Sequence, residues 1–381
     1  MLNHLKRRFE YFGINYGLCS VALRAITTSI RLILIAVMCR TISKNDFLSL
    51  QIFFSVSACI PFFDLGIAGL AFRKRILAPI DTGDKKVEEY VFSSTFFRLV
   101  KLYSRYAVIA CLIALFFKNI SSIAIALMVL RYPLTLVIEY FISKSKVLIA
   151  YGLDFFEQFI ALSILMIFFG ILEVNQIQVL YSLILFCFHL FVFLIFIRNK
   201  NWQLTNHIFI DKVSKEETLN FVQNGLANSF FITAPFVVNF FYSQENAWEF
   251  HIGFRLFSLI LGSIAIFFNP ILSRLIILDK NNFLPLKEYF FLILGLASIN
   301  LCLWIYSYPD AFKLLSGKYP MISSFKWELG IIGSLFFLFL GLDQILKIKK
   351  MIISICVWVC IYILWFLYFM FFRNLLFFIE L

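Results

Sequence analysis

Residues 18–39 read LCSVALRAITTSIRLILIAVMC, an apolar stretch long enough to cross a bilayer, since about 20 helical residues suffice. The stretch nevertheless contains Arg24 and Arg31. A charge near the centre of a membrane-spanning helix costs about 2.5 to 3.5 kcal/mol on insertion scales, so a partner or a hydrated cavity must offset it. On a helix, Ser20 and Thr27 fall on the same face as the two arginines. The pattern therefore predicts a helix whose polar, basic face lines a cavity within a helical bundle.

The composition places the whole chain among membrane proteins. Of its 381 residues, 62% are hydrophobic and 15% are charged, and the mean hydropathy is +0.90. The net charge of +12 does not by itself indicate nucleic acid, because the position of charges matters more than their sum in a membrane protein. The eight cysteines have no metal-ligand spacing, and no Walker loop or nucleophile with a positioned base occurs. We therefore expect an all-α integral membrane protein that is not an enzyme and needs no metal or cofactor.

Apolar runs of about 17 to 25 residues predict eleven membrane-spanning helices. These spans are 18–39, 47–72, 103–117, 120–142, 150–172, 177–197, 220–242, 250–272, 288–307, 327–346 and 351–372. The third span is short, and the basic segment before it is expected to lie at the membrane interface. A twelfth span is the alternative at the carboxyl end, where residues 374–381 read NLLFFIEL.

Charge differs sharply between alternate connections. With the amino end in the cytoplasm, the inner segments hold 23 of the 34 lysines and arginines and the outer segments hold 7. This excess agrees with the positive-inside rule and predicts a multi-pass protein of the bacterial inner (plasma) membrane. The inner connection over 198–219 is polar and charged, and it divides six spans from five. We therefore expect an N-terminal six-helix bundle over 1–200, a cytoplasmic linker over 201–219 and a C-terminal bundle over 220–381.

Four arginines lie within three of the predicted spans, at depths that few acidic residues share. A guanidinium group suits forked contacts with phosphate oxygens, so together they predict a cationic cavity for a phosphate-bearing ligand. The four candidates are Arg24, Arg31, Arg131 and Arg255. Pro133 lies two residues after Arg131, where it removes a helical hydrogen bond and leaves a carbonyl open. Arg255 lies near the outer end of its span, where snorkelling to the interface is the alternative.

Asp64 lies at a depth that matches Arg24 on the neighbouring, antiparallel span. The two residues form either a structural bridge that makes both charges tolerable in the membrane or a gating pair that opens during transport. Arg31 is deeper and has no acidic residue at its level on the second span, which makes it the stronger ligand candidate.

Three further acidic residues fall near the cytoplasmic ends of the fourth and fifth spans. Glu139 ends the fourth span, while Asp154 and Glu157 begin the fifth, one helical turn apart. One interpretation is an interfacial salt-bridge network with the nearby Lys101 and Arg105. The alternative assigns Asp154 and Glu157 to coupling with H⁺ or Na⁺.

Neutral polar side chains give two weaker patterns. His189 lies in the middle of the sixth span, either as a hydrogen-bonded packing residue or as a proton relay. Asn220, Asn224 and Asn228 recur every four residues at the start of the seventh span, and Asn239 falls on the same face. Such amides form either interhelical hydrogen bonds or contacts with a hydroxyl-rich ligand. In the second case, Asn224 and Asn228 are the residues expected to face a sugar.

Three stretches carry a family resemblance. Residues 41–75 lead into the second span and contain DLG at 64–66, residues 250–274 contain FHIGFRLFSLI and end in NPILSR, and residues 312–319 read FKLLSGKY. In this order they resemble bacterial O-antigen and polysaccharide flippases of the multidrug/oligosaccharidyl-lipid/polysaccharide exporter superfamily, and the likeness is spread over most of the chain.

The resemblance implies two MATE-like helix bundles around a central cavity and transport by alternating access without ATP. The cargo would be a polyprenyl-diphosphate-linked oligosaccharide, moved from the inner to the outer leaflet, with membrane lipids and other polysaccharide-assembly proteins as partners. Cavity arginines on the first and eighth spans hold the diphosphate in related flippases, and they correspond here to Arg24, Arg31 and Arg255. The chain departs from the family in having eleven predicted spans where twelve or more are common.

Two other functions remain open. A multidrug or organic-ion exporter of the same fold would be expected to have acidic residues in its cavity, whereas the predicted cavity is basic. A membrane polysaccharide polymerase or ligase would be expected to have a large outer loop, whereas the largest one predicted here covers only 306–326.

Overall fold

A computed structural model describes most of the N-terminal half of the chain and parts of the C-terminal half. The described ranges are 40–68, 70–77, 85–117, 120–144, 146–168, 171–202 and 286–317, with shorter pieces or single residues between 22 and 38, between 217 and 256 and between 330 and 363. These residues are predominantly helical and contain no β-strand. The prediction of an all-α fold is therefore confirmed for this part of the chain.

Eight α-helices and two 3₁₀ turns have both ends within the described residues. They are α1 (Lys44–Cys59), a first 3₁₀ turn (Ile60–Asp64), α2 (Leu70–Leu77), α3 (Lys85–Phe117), α4 (Ile120–Arg131), a second 3₁₀ turn (Tyr132–Thr135), α5 (Leu136–Ser143), α6 (Val147–Phe168), α7 (Val174–Lys200) and α8 (Leu286–Ser316). Before α1, the described residues between 22 and 40 are also helical, in agreement with the predicted first span.

Within the described part of the chain, four helices are long and apolar enough to cross a membrane. They are Lys85–Phe117, Ile120–Ser143, Leu148–Phe168 and Val174–Lys200. They correspond to the third to sixth predicted spans, and this agreement supports an integral membrane protein. Because the loops between them are short, consecutive helices run antiparallel.

The fourth predicted span is interrupted at Pro133, as the sequence predicts, and it consists of α4, the second 3₁₀ turn and α5. Pro133 lies in the second 3₁₀ turn, and Arg131 is the last residue of α4 before that turn. α4 packs mainly against α3 and α7, and it also contacts α1. Ala124 and Ala126 are buried on α4, and such small side chains let neighbouring helices approach closely. The break therefore places Arg131 well inside the bundle.

The prediction of one continuous span over 47–72 is wrong. α1 ends at Cys59, and the first 3₁₀ turn follows from Ile60, because Pro61 cannot donate a helical hydrogen bond. Leu65 and Gly66 then adopt left-handed conformations, with φ of 54° and 73°, before α2 starts. The apolar run over 47–72 is thus two helices separated by a tight turn.

Two other helix boundaries differ from the prediction. α3 is a single helix of 33 residues, so the basic segment before the third span is not a separate interfacial element. α8 continues to Ser316 and includes Pro309, so the first half of the predicted outer loop 306–326 is helical. The helix ends at Gly317, whose φ of 78° suits a helix carboxyl cap and whose N–H donates to the Lys313 carbonyl.

Candidate functional site

Three side chains from different helices meet inside the bundle. Arg131 Nη2 lies 2.8 Å from Glu157 Oε1, and Arg131 Nε donates to His189 Nδ1 at 3.2 Å. His189 Nε2 lies 3.5 Å from Glu157 Oε2, which closes the ring of contacts. These residues come from α4, α6 and α7, and we call them the Arg131 cluster. The sequence singled out each of the three residues but did not predict that they contact one another.

The Arg131 cluster is almost completely removed from solvent. Glu157 and His189 are each 1% exposed, and the Arg131 side chain is 19% exposed. A buried carboxylate is tolerated only when a cation and hydrogen bonds compensate for its lost hydration. Arg131 supplies that compensation for Glu157.

His189 Nδ1 has two contacts with opposite requirements. Nδ1 lies 3.2 Å from Arg131 Nε, which can only donate, and 3.0 Å from the Leu185 carbonyl oxygen, which can only accept. The first contact needs Nδ1 without a proton and the second needs Nδ1–H, so the position of the ring proton decides which of the two hydrogen bonds forms.

A cavity of about 300 Å³ adjoins the Arg131 cluster. Its lining contains three carboxylates and one guanidinium. The ionisable lining residues are Arg131, Glu139, Asp154 and Glu157, and the phenol of Tyr132 lies beside them. Asp154 and Glu157, the two candidate coupling residues on α6, therefore line the same cavity.

Two of the three acidic residues form ion pairs with arginines that were not expected as their partners. Glu157 pairs with Arg131. Glu139 accepts from the Nε and Nη2 atoms of Arg73 at 3.2 and 2.9 Å, and the Arg73 side chain is 5% exposed. The bridges therefore join helices within the bundle, between α4 and α6 and between α5 and α2.

Asp64 anchors the turn between the first 3₁₀ turn and α2. Its Oδ1 accepts from the Gly66 N–H at 2.8 Å, and its Oδ2 accepts from the Ala68 N–H at 3.1 Å and from the Tyr132 hydroxyl at 3.3 Å. These bonds give the buried carboxylate a structural role. Arg24 lies outside the described residues, so the proposed Arg24–Asp64 pair stays a prediction.

Other predicted site residues also lie outside the described part of the chain. They are the arginines Arg31 and Arg255 and the amides Asn224 and Asn228. The expected cationic cavity and the expected sugar contacts therefore stay predictions.

A second charged cluster was not predicted. Arg98 Nη1 and Nη2 donate to the two carboxylate oxygens of Glu217 at 2.9 and 3.1 Å, and Arg75 Nη2 lies 2.9 Å from the same carboxylate. Glu217 is completely buried and belongs to the predicted linker. The sequence signal was weak, because 119 residues separate Arg98 from Glu217. This carboxylate fastens the start of the C-terminal half to α2 and α3.

Comparisons with known protein families, with curated proteins and with solved structures give no match to this chain.

Proposed function

We propose that this protein is an ion-coupled flippase that moves a polyprenyl-diphosphate-linked oligosaccharide to the outer leaflet of the bacterial plasma membrane. One observation carries the ion coupling: the buried Arg131 cluster adjoins a polar cavity within a bundle of membrane-spanning helices. Placing an ionisable residue within the hydrocarbon layer costs free energy, and such residues commonly mark ion or substrate pathways. Eleven spans in two bundles, working by alternating access, are part of the proposal.

The nature of the cargo rests on the sequence. A diphosphate head group cannot enter hydrocarbon without compensation for its charge, and a hydrated cationic cavity supplies that compensation. Arg24 and Arg31 on the first span and Arg255 on the eighth are the proposed ligands. The family resemblance of residues 41–75 and 250–274 supports the same cargo.

Arg131 has a conditional role in this proposal. Its guanidinium already holds Glu157 at 2.8 Å, so a diphosphate must compete with Glu157 for it. Binding of a proton or a cation to Glu157 weakens the ion pair and releases Arg131. The charge state of Glu157 thereby controls whether Arg131 joins the cargo site and how α4 and α6 are held together.

Asp154 supplies a second carboxylate to the same cavity, one helical turn before Glu157. Two carboxylates at that spacing lie on one face of a helix. In the proposed mechanism, Asp154 receives the coupling ion from the cavity and passes it toward the more deeply buried Glu157. Asp64 is assigned to the turn that it stabilises.

The test uses the purified protein in proteoliposomes that contain a polyprenyl-diphosphate-linked sugar. The fraction of sugar accessible from outside is followed while a pH or sodium gradient is imposed. We expect the gradient to accelerate translocation in the unaltered protein and to have no such effect in Glu157→Gln. Asp310→Asn is the matched control, because Asp310 is an exposed carboxylate on α8. A full gradient response in Glu157→Gln would exclude Glu157 from coupling.

The cavity lining favours a second candidate function, export of organic cations. Carboxylates of Glu139, Asp154 and Glu157 line the cavity, and although arginines pair with Glu139 and Glu157, such a lining suits a cationic ligand better than a diphosphate. Expression in a strain that lacks its own drug pumps distinguishes the two functions. Resistance to cationic dyes, together with no translocation of the lipid-linked sugar, would favour the exporter.

A further inference from the structure

Four lysines converge at one end of the helical bundle. Lys85 begins α3, Lys144 follows α5, Lys146 precedes α6 and Lys200 ends α7. Lys85, Lys144 and Lys146 lie close enough to Lys200 for their charges to act on it. We call these four residues the lysine cluster.

One carboxylate partly neutralises the lysine cluster. Lys144 Nζ donates to Glu88 Oε1, and the Tyr140 hydroxyl donates to Glu88 Oε2 at 3.0 Å. Lys200 Nζ donates to the Tyr140 hydroxyl at 2.9 Å, so it reaches Glu88 only through the phenol. With four ammonium groups around one carboxylate, the cluster keeps a clear excess of positive charge.

Lys85 and Lys146 supply most of that excess. Both side chains are exposed, and no carboxylate of the described residues forms an ion pair with either of them. They are therefore available to an anion that approaches from outside the protein.

The lysine cluster lies at one end of the four helices that are long and apolar enough to cross a membrane, which is where lipid head groups are expected. Lys200 Nζ lies 5.1 Å from the centroid of the Tyr140 ring and 5.4 Å from that of Trp202. Both rings are buried in the bundle, so they hold Lys200 at this end. The opposite end of α3, α4, α6 and α7 differs, because its described residues include Glu173 and no lysine or arginine.

Exposed apolar side chains begin directly beside the lysines. On α6, Leu148 is 65% exposed and Ile149 is 46% exposed, immediately after Lys146. On α3, Val87 and Tyr90 are each 39% exposed, within a turn or two of Lys85. A ligand with an anionic head and apolar chains would find both of its parts matched here.

We infer that the lysine cluster binds the phosphate head group of an anionic phospholipid of the inner leaflet. The positive charge attracts the phosphate, and the exposed residues of α3 and α6 contact the acyl chains. Soluble phosphate would use the charge but would leave the apolar surface unmatched. The site is separate from the Arg131 cluster, so it does not depend on the proposed transport function.

The test measures lipid binding by the full-length protein in detergent, by native mass spectrometry with phosphatidylglycerol and with phosphatidylcholine. The informative variant is Lys85→Gln/Lys146→Gln, because neither lysine takes part in the network around Glu88. Loss of one lysine near a membrane surface weakens binding about fivefold, so loss of both weakens it about 25-fold. We expect that loss for phosphatidylglycerol and little change for phosphatidylcholine. Lys101→Gln/Lys313→Gln removes the same charge elsewhere and is the control.

Three outcomes would overturn the inference. The first is equal binding of the two lipids by the unaltered protein. The second is an equal loss of phosphatidylglycerol binding in the control, which would indicate a general effect of net charge. The third is inorganic phosphate binding as tightly as phosphatidylglycerol, which would show that the acyl chains contribute nothing. Because Lys146 is exposed, Lys146→Gln alone serves as the variant if the double substitution lowers the melting temperature.

Discussion

Arg131 and Glu157 form a 2.8 Å ion pair between α4 and α6. Arg131 lies two residues before Pro133, which interrupts the helix. The proline turn stops the regular helix at Arg131, and the neighbouring α7 adds His189 to the pair. The position of one buried charge thus depends on a backbone break and on two packed helices. If α6 moves relative to α4, the ion pair must break; while it stays intact, the two helices move together.

The first prediction concerns the free energy of this pair. Arg131→Met leaves the buried carboxylate of Glu157 without its cation, so we expect a loss of about 3 to 5 kcal/mol in the free energy of unfolding. Arg131→Met/Glu157→Met removes both charges and should recover most of that loss. Unfolding of the purified proteins in detergent measures both effects. Arg198→Met is the control because Arg198 is exposed at the end of α7. Additive losses in the double variant would mean that the pair is not coupled.

The second prediction concerns the turn after Asp64. A Cβ atom on Gly66 would lie 2.0 Å from the Glu217 carbonyl oxygen, and the residue has a φ of 73°. We expect Gly66→Ala to destabilise the protein by about 3 kcal/mol, because alanine is strained at this φ and its Cβ atom would clash with the Glu217 carbonyl oxygen. Gly152→Ala is the matched control. Nothing lies within 4 Å of a Cβ atom on Gly152, so that substitution should be neutral or stabilising. Equal melting temperatures of the two variants would contradict the prediction.

Hydropathy predicted the long helices well because a membrane-spanning helix needs little more than an uninterrupted apolar run. It failed at 47–72, where Pro61 and Gly66 turn the chain without making it polar. Pro133 does predict the break after Arg131, because proline cannot continue the helical hydrogen bonds. Periodicity and average hydropathy do not report such turns, whereas individual prolines and glycines do.

The candidate site was predicted residue by residue but not as an arrangement. Arg131, Glu157 and His189 were each noted because they are ionisable residues in apolar surroundings. Their contact depends on how α4, α6 and α7 are rotated about their axes, which depth along each helix does not determine. Glu217 was missed for a related reason, since its arginine partners lie far away along the chain.

The third prediction concerns the buried carboxylate of Glu217. Glu217→Gln leaves Arg98 without the charge that its two Nη atoms contact, so we expect a loss of about 3 kcal/mol in stability. Arg98→Gln/Glu217→Gln should be more stable than Glu217→Gln alone. Thermal unfolding in detergent compares the variants, with Asp310→Asn as the exposed control. An unaltered melting temperature in Glu217→Gln would show that this carboxylate does not hold the two halves together.

The fourth prediction concerns Arg31, the candidate on the first predicted span with no acidic residue at its depth on the second. If the proposed flippase uses Arg31 to hold the diphosphate, Arg31→Ala abolishes export of the lipid-linked oligosaccharide while the protein still inserts into the membrane. Surface polysaccharide and the amount of protein in the membrane are measured together in the same cells. Arg198→Ala, at the exposed end of α7, controls for the loss of one positive charge. Full export by Arg31→Ala at a normal protein level would remove Arg31 from the mechanism, and the coupling role of Glu157 would still be open to its own test.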